Sequence, residues 1–275
     1  MKLEALFQNP HALPTAPKVV EELINSFDDP SASSESVAKK LATDPVLSAK
    51  LLRLANSAYY HVSRSIGTVD DAVLMLGFVT VRTLVISSGL VSGFKTVPGL
   101  DLKQFWRYNL HTAVAAKWIA KQARENTDLA FTIGMMHSIG QLVIHAAMPE
   151  QAMQLDKEVG PLDARRLDIE QTTFGYGFAD VGAELAVRWK FPDVFASTIR
   201  SFPQPLAATP PSRMAAVIHL AAWCARISEN KLTADEIDAC YPSEVCEMLG
   251  LAENILVDGM PNLDELAAGL EELVH

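Results

Sequence analysis

Asp128-Leu-Ala-Phe-Thr-Ile-Gly134-Met-Met-His137-Ser138-Ile-Gly140-Gln141-Leu-Val-Ile-His145-Ala-Ala-Met148 is the run on which the architecture turns. Apolar residues go almost all the way round the helix it predicts, which puts that helix in the middle of a bundle. Asp128 is an N-cap residue type and is expected to open a continuous helix that Pro149 ends. His137 sits at its centre between Gly134 and Gly140. Glycine costs helix stability, so two of them around one histidine imply that something approaches the backbone closely there. Such a histidine is either a packed core residue or one member of a metal-ligand set. A lone His without partners at ligand spacing favours the core reading.

The chain has 275 residues, enough for one large helical domain or two smaller ones. Hydrophobic residues make up 49% and charged residues 20%, a globular balance that argues against disorder. A formal net charge of −10 disfavours a nucleic-acid surface and an anionic membrane as partners. Cys224, Cys240 and Cys246 fit neither a disulfide framework nor a CxxC metal pair. The first ten residues are too acidic and too short in apolar run for a signal peptide. Residues 215–225 come nearest to a membrane span and stop well short of the roughly 18 apolar residues one needs. A soluble, cytoplasmic protein is expected.

Outward from the central run, helix signals fill the chain. Pro14 and Pro17 lead into a helix with Val19, Val20, Leu23, Ile24 and Phe27 on one face, and Asp28-Asp29-Pro30 breaks it. The serine run 31–36 starts the next. Asp44 then caps a helix with Pro45 at its first position and Leu47, Leu51, Leu54, Ala55 and Ala58 as its stripe. Two helices meeting at such a turn outline a helix-turn-helix, but no basic recognition helix is present. Thr68-Val-Asp-Asp71 starts a helix ending at Leu76, with Gly77 as C-cap, and residues 80–94 form another. The 97–100 segment, Val-Pro-Gly-Leu, reads as the boundary between an N-terminal unit, 1–98, and a second unit, 99–275. Asp101 opens a helix running to about residue 125. Beyond the central run, short helices are expected after Pro161, over 179–190 and up to Ser201. Ser212 caps a helix through Glu229, Thr233-Ala-Asp-Glu236 is a capping box, and Pro242 and Asn262 mark terminal turns. No alternating strand and no repeat is found, so the chain is all-α.

The order of these pieces resembles the HDOD family, the non-enzymatic output-domain relatives of the HD phosphohydrolases. The resemblance rests on Leu13-Pro14-x-x-Pro17-x-Val19-Val20, on Asp44-Pro45-x-Leu47-Ser48-x-Lys50-Leu51-Leu52-Arg53-Leu54-Ala55-Asn56-Ser57-Ala58-Tyr59-Tyr60, and on Ile66 with Ala72, Leu76-Gly77 and Val81-Arg82. It continues through Phe105-Trp106-Arg107, the central run, and Val181-Gly182-Ala183-x-Leu185-x-x-x-Trp189-x-x-Pro192. It covers roughly residues 10–230, far more than a short motif. It implies an irregular helical bundle, with an N-terminal helical subdomain packed on an HD-like one.

HD enzymes gather His and Asp from several helices around metal ions, because a bound water must be acidified to attack a phosphoester. Against that pattern, the first histidine, after Trp-Arg, is here Tyr108. The His-Asp doublet is His137-Ser138, and the lysine that follows it is Gln141. The next histidine aligns with Phe178, and a later aspartate, three residues after His219, aligns with Ala222. One histidine cannot hold a divalent cation in a dry pocket, so no metal and no cofactor is expected. A shifted set of His111, His137 and Asp180 is an alternative without a recognised ligand spacing.

Among the other positions, Asp44, Asn56, Ser57, Gly77 and Arg82 are read as structural or interaction residues. Asn56-Ser57 is expected to end its helix, and Arg82 to pair with a carboxylate such as Asp44 or Asp71. Cys224 is expected to be a buried, inert thiol, and Trp106 and Met135-Met136 to be core. The resemblance implies a non-catalytic bacterial signalling module that binds another protein, with a small ligand in the relict pocket an open possibility. The competing expectation is a phosphohydrolase or cyclic-dinucleotide phosphodiesterase acting through an altered metal site.

Overall fold

The computed structural model describes residues 3–8, 18–25, 34–60, 62, 65–252 and 254–274. The expected lead at Pro14 and Pro17, Phe27, the break at 28–30 and the helix start at 31–33 lie outside them. Among the described residues there are 17 α-helices and no strand. The first six are α1 (Leu3–Leu6), α2 (Lys18–Asn25), α3 (Ser34–Ala42), α4 (Pro45–Ala55), α5 (Val69–Leu76) and α6 (Phe78–Gly93). After the 97–100 segment come α7 (Leu102–Ala123), α8 (Thr127–Met136), α9 (Gly140–Ala147), α10 (Pro149–Leu155), α11 (Arg166–Phe174), α12 (Phe178–Arg188) and α13 (Asp193–Ser201). The chain then continues through α14 (Arg213–Asn230), α15 (Ala234–Ala239), α16 (Ser243–Leu249) and α17 (Leu263–Ala267).

Local capping accounts for most starts. Asp44 Oδ1 accepts from the Val46 and Leu47 amides at 3.0 Å each, with Pro45 in the first turn of α4. Leu47, Leu51, Leu54 and Ala55 are buried as the periodicity requires, but Ala58 is not. Asn56 ends the helix before it, and Ala58 is exposed at the start of a 3₁₀ turn, Ala58–Tyr60, whose tyrosines are half-buried. The Asn56 amide does more than cap. Its Nδ2 donates to the Leu52 and Ile66 carbonyls at 2.7 and 2.8 Å, and its Oδ1 accepts from the Ile66 amide at 2.7 Å. One side chain thus ties the end of α4 to a loop ten residues away.

Gly77 adopts φ +81°, a conformation a side chain rarely takes, and its amide donates to the Val73 carbonyl at 3.0 Å. The turn bends α6 by 118° from α5 and lets α6 begin at Phe78 rather than at residue 80. Arg82 is buried on α6 with its guanidinium 5.0 Å from the centre of the Phe78 ring. Of the carboxylates proposed as its partners, Asp44 caps α4, and Asp71 Oδ2 accepts from the Thr68 hydroxyl at 3.0 Å.

The centre of the second half is α7 packed against α8 and α14, with α9 packed on α12. The central run departs from expectation in three ways. Its N-cap is Asn126, whose Oδ1 accepts from the Asp128 and Leu129 amides, so Asp128 lies already inside the first turn. It is two helices rather than one, interrupted at residues 137–139. And Thr127–Ala147 does reach membrane-span length and apolarity, contrary to the count above, although the bundle buries almost all of it. Pro161 starts no helix: residues 160–165 are turns, closed by Asp163 accepting from the Arg165 amide at 2.9 Å, and α11 begins at Arg166.

The C-terminal segment closes the structure. α17 packs on α7, and the 3₁₀ turn Glu271–Leu273 packs on α4 and α6. Leu270 and Leu273 are fully buried, each contributing about 1.5–3 kcal/mol of hydrophobic stabilisation. Gly269, at φ +87°, fits against Ser57 and Tyr59, where a β-carbon would come within 3.0 Å of the Tyr59 amide.

Candidate functional site

His137 ends α8 and stands first in the interruption after it. Its Nδ1 lies 2.8 Å from the Gly134 carbonyl; a carbonyl only accepts, so Nδ1 carries the proton and Nε2 the lone pair. The Ile139 amide reaches back to the Met136 carbonyl at 2.9 Å and tightens the turn. His137 is 1% exposed, and its Nε2 has no hydrogen-bond partner among the described residues. Burial pushes its pKa down to about 4, and the Arg226 charge acts in the same direction, so the ring is neutral at pH 7.

The two glycines around it are helix contacts. A β-carbon on Gly134 would lie 2.7 Å from Ala113 Cα in α7. One on Gly140 would fall on the Phe178 carbonyl oxygen and 2.7 Å from the Gly182 amide in α12. These approaches bring α7 and α12 against the histidine turn. Tyr108 and Phe202 then pack edge-on to the His137 ring, with ring centres 5.2 and 5.3 Å away, and Phe178 lies 6.2 Å from Phe202.

Next to this aromatic group is a cavity of about 180 Å3 whose lining includes Tyr108, Ser138, Phe178, Ala222, His219 and Arg226. Positions dispersed over a hundred residues of sequence are therefore gathered in one place. Ser138 Oγ donates to Asn109 Oδ1 at 2.9 Å, and His219 Nδ1 donates to the Phe202 carbonyl at 3.0 Å. Burial lowers the His219 pKa and raises that of Tyr108, so both are neutral. The model of the HDOD domain matches residues 13–205, most of the elements that build this cavity.

The chain belongs to the HDOD family. It is similar over 98% of its length to a crystal structure from Shewanella amazonensis SB2B that carries a phosphohydrolase name, with 33% identity, 97% of that chain covered and a TM-score of 0.79. An HDOD domain protein of unknown function from Geobacter sulfurreducens matches at 25% identity and a TM-score of 0.77, over 98% of this chain and 96% of that one. An uncharacterised protein of Treponema pallidum (strain Nichols) is 24% identical over 190 residues, 68% of this chain. The match spans 37% of that relative's length.

The HD-related metal centre does not fit the residues of this HDOD chain. At the positions that the sequence resemblance assigns to it stand one imidazole, a serine whose proton is already donated, a phenol, a phenyl ring and a methyl group. Asp163 lines the cavity, but Arg165 holds its carboxylate at both oxygens, at 3.1 and 2.7 Å. Among the described residues no three His, Cys, Asp or Glu side chains gather for a metal.

The shifted set is not assembled either. His111 stands between Glu229 and Asp264, 3.4 Å from each, and Asp180 accepts from the Gly177 amide at 3.1 Å. Asp44, Asn56, Ser57, Gly77 and Arg82 lie in the N-terminal half, and none lines the cavity. Cys224 is buried and its thiol is pushed well above the usual range, which makes it inert.

Sequence reasoning missed the polar network behind Phe178. Arg166, 1% exposed, donates to Glu170 Oε1 at 2.7 Å, to the Val159 carbonyl at 2.8 Å and to Asp156. Asp156 lies 3.5 Å from His145 Nε2, and His145 Nδ1 reaches the Pro98 carbonyl at 3.1 Å. At the other end Glu170 Oε2 accepts from the Phe178 amide at 2.6 Å. The i,i+4 spacing of Arg166 and Glu170 was the one signal available. Gln141 was read only as a replaced lysine and His219 only as a register mark, and Arg226 was not read at all.

Proposed function

We propose that this HDOD chain is a non-catalytic regulatory module of bacterial signal transduction that works by binding another protein. The observation that carries the non-catalytic part is the surroundings of His137, a neutral imidazole packed among aromatic rings instead of carboxylates. Hydrolysis of the HD type needs imidazoles and carboxylates converging on a cation. Arg226 places positive charge in the same lining, which opposes a divalent ion. The protein-binding part draws on apolar side chains left in solvent beside the α5–α6 bend: Leu74 is 78% exposed, and Met75 and Val79 are 42% exposed. The chain's negative charge favours a protein over nucleic acid or an anionic membrane, and this reading goes with a cytoplasmic setting.

The competing reading, a metal-dependent phosphohydrolase or cyclic-dinucleotide phosphodiesterase with an altered site, draws on the phosphohydrolase name of the Shewanella structure. Metal content separates the two. Protein purified without chelators and reloaded anaerobically with iron and manganese is expected to keep less than about a tenth of an equivalent. Retention of about one or two equivalents, removed by His137→Ala, overturns the regulatory reading in favour of hydrolysis.

A further inference from the structure

The cavity beside His137 is more than packing. Gln141, which lines it, is 2% exposed; its Nε2 donates to the Pro161 carbonyl at 3.0 Å, but its Oε1 has no hydrogen-bond partner among the described residues. A buried acceptor left unpaired is a standing cost that a ligand N–H relieves. His219, with its Nδ1 proton given to Phe202, keeps Nε2 as a second acceptor, and Ser138, with its proton given to Asn109, has free lone pairs. Facing these acceptors is one cation. Arg226 is half-buried in the lining, beside the Tyr108 hydroxyl and within the field of Asp163, but it has no carboxylate at ion-pair distance among the described residues, the Asp163 oxygens being held by Arg165. Phe178, Phe202, Leu162 and Leu167 supply apolar walls.

This inventory restricts the occupant. A volume of about 180 Å3 equals roughly six waters at about 30 Å3 each and lies below the roughly 300 Å3 where pockets for drug-sized ligands begin. The chamber opens outward, since Pro161, Leu162, Asp163, Ala164 and Arg226 also line an adjoining cleft of about 600 Å3, so the size limit applies to the part of a ligand that reaches Gln141. A bare anion satisfies Arg226 but sets acceptor against acceptor at Gln141 and His219. An amine without an acid leaves Arg226 unpaired and repelled. We propose that the cavity binds a small organic acid of α-amino-acid size, its carboxylate paired with Arg226 and its amino N–H groups donated to Gln141 Oε1 and His219 Nε2. The proposal rests on the metal-free reading of the cavity.

Calorimetric titration of the full chain, at measured metal content, tests it. The probes are the standard amino acids, with inorganic phosphate and, for each hit, the matched acid lacking the amine and the matched amine lacking the acid. At least one amino acid is expected to bind saturably, with both truncated probes and phosphate weaker by about tenfold or more. Arg226→Gln and Gln141→Leu are each expected to weaken that amino acid by at least about tenfold. The site is overturned if no amino acid saturates metal-free protein at about 10 mM, if phosphate binds as tightly, or if binding survives both substitutions. Metal that His137→Ala removes overturns the underlying reading instead, so the two failures are told apart.

Discussion

Arg166 and Glu170 face each other one helical turn apart in α11, Nε to Oε1 at 2.7 Å, with neither side chain more than 1% exposed. The second oxygen of Glu170 holds the Phe178 amide, so the pair fixes the start of α12 and one wall of the cavity. Burial raises the Glu170 pKa while Arg166 pulls it back, so the carboxylate depends on its guanidinium. Removing one partner of such a pair strands a charge. Arg166→Met is expected to cost about 3–5 kcal/mol in urea denaturation, and adding Glu170→Leu is expected to recover a large part of it. A double variant no more stable than the single would show that the pair is not the unit.

His137 predicts how stability responds to acid. Its folded pKa, about 4, lies below the ordinary 6.5, so the unfolded chain takes up this proton first. The contribution is complete above pH 6.5 and is lost as pH falls toward 4, roughly 3 kcal/mol in all. His111, His145 and His219 are also lowered by burial and add in the same direction. His137→Asn keeps a donor for the Gly134 carbonyl without the titration. Its stability profile between pH 6.5 and 4 is expected to be shallower by up to about 1.4 kcal/mol per pH unit.

The glycine at the helix contact has a sharper test. Gly140→Ala places a methyl on the Phe178 carbonyl and should cost about 3 kcal/mol, because backbone cannot swing aside as a side chain does. Gly160→Ala meets nothing within 4 Å and should change stability by less than about 0.5 kcal/mol. Equal effects at the two positions would remove the packing explanation.

Two substitutions probe the closure of the N-terminal half. Asn56→Ala deletes both bonds to Ile66 and is expected to cost about 1–2 kcal/mol. Leu273→Ala should cost about 2–4 kcal/mol and speed amide hydrogen exchange in α4, against which that turn packs. Unchanged exchange in α4 would mean that the C-terminal turn does not hold it.

The class of the fold and most helix starts were legible because their causes are local. Asp44-Pro45, Thr68, Asp101, Ser212, the Thr233–Glu236 box and Asn262 cap helices where they were expected to, since a cap acts within three residues. Gly134 and Gly140 announced a close approach without naming what approached. Asp128 misled because Asn126, also a cap type, stands two residues ahead. The remainder depended on groups distant in the chain. Pro98, His145, Asp156, Arg166, Glu170 and Phe178 form one line of contacts, Gly269 meets Ser57, and Arg107 pairs with Glu229; apart from Arg166 and Glu170, one helical turn apart, these are spacings at which periodicity carries no signal. The break at His137 belongs with them, an imidazole turned back onto the Gly134 carbonyl in a site that α7 and α12 enclose. Hydrophobic pattern and capping specify the helices. Which buried polar atoms find partners, and which remain for a ligand, is settled when those helices pack.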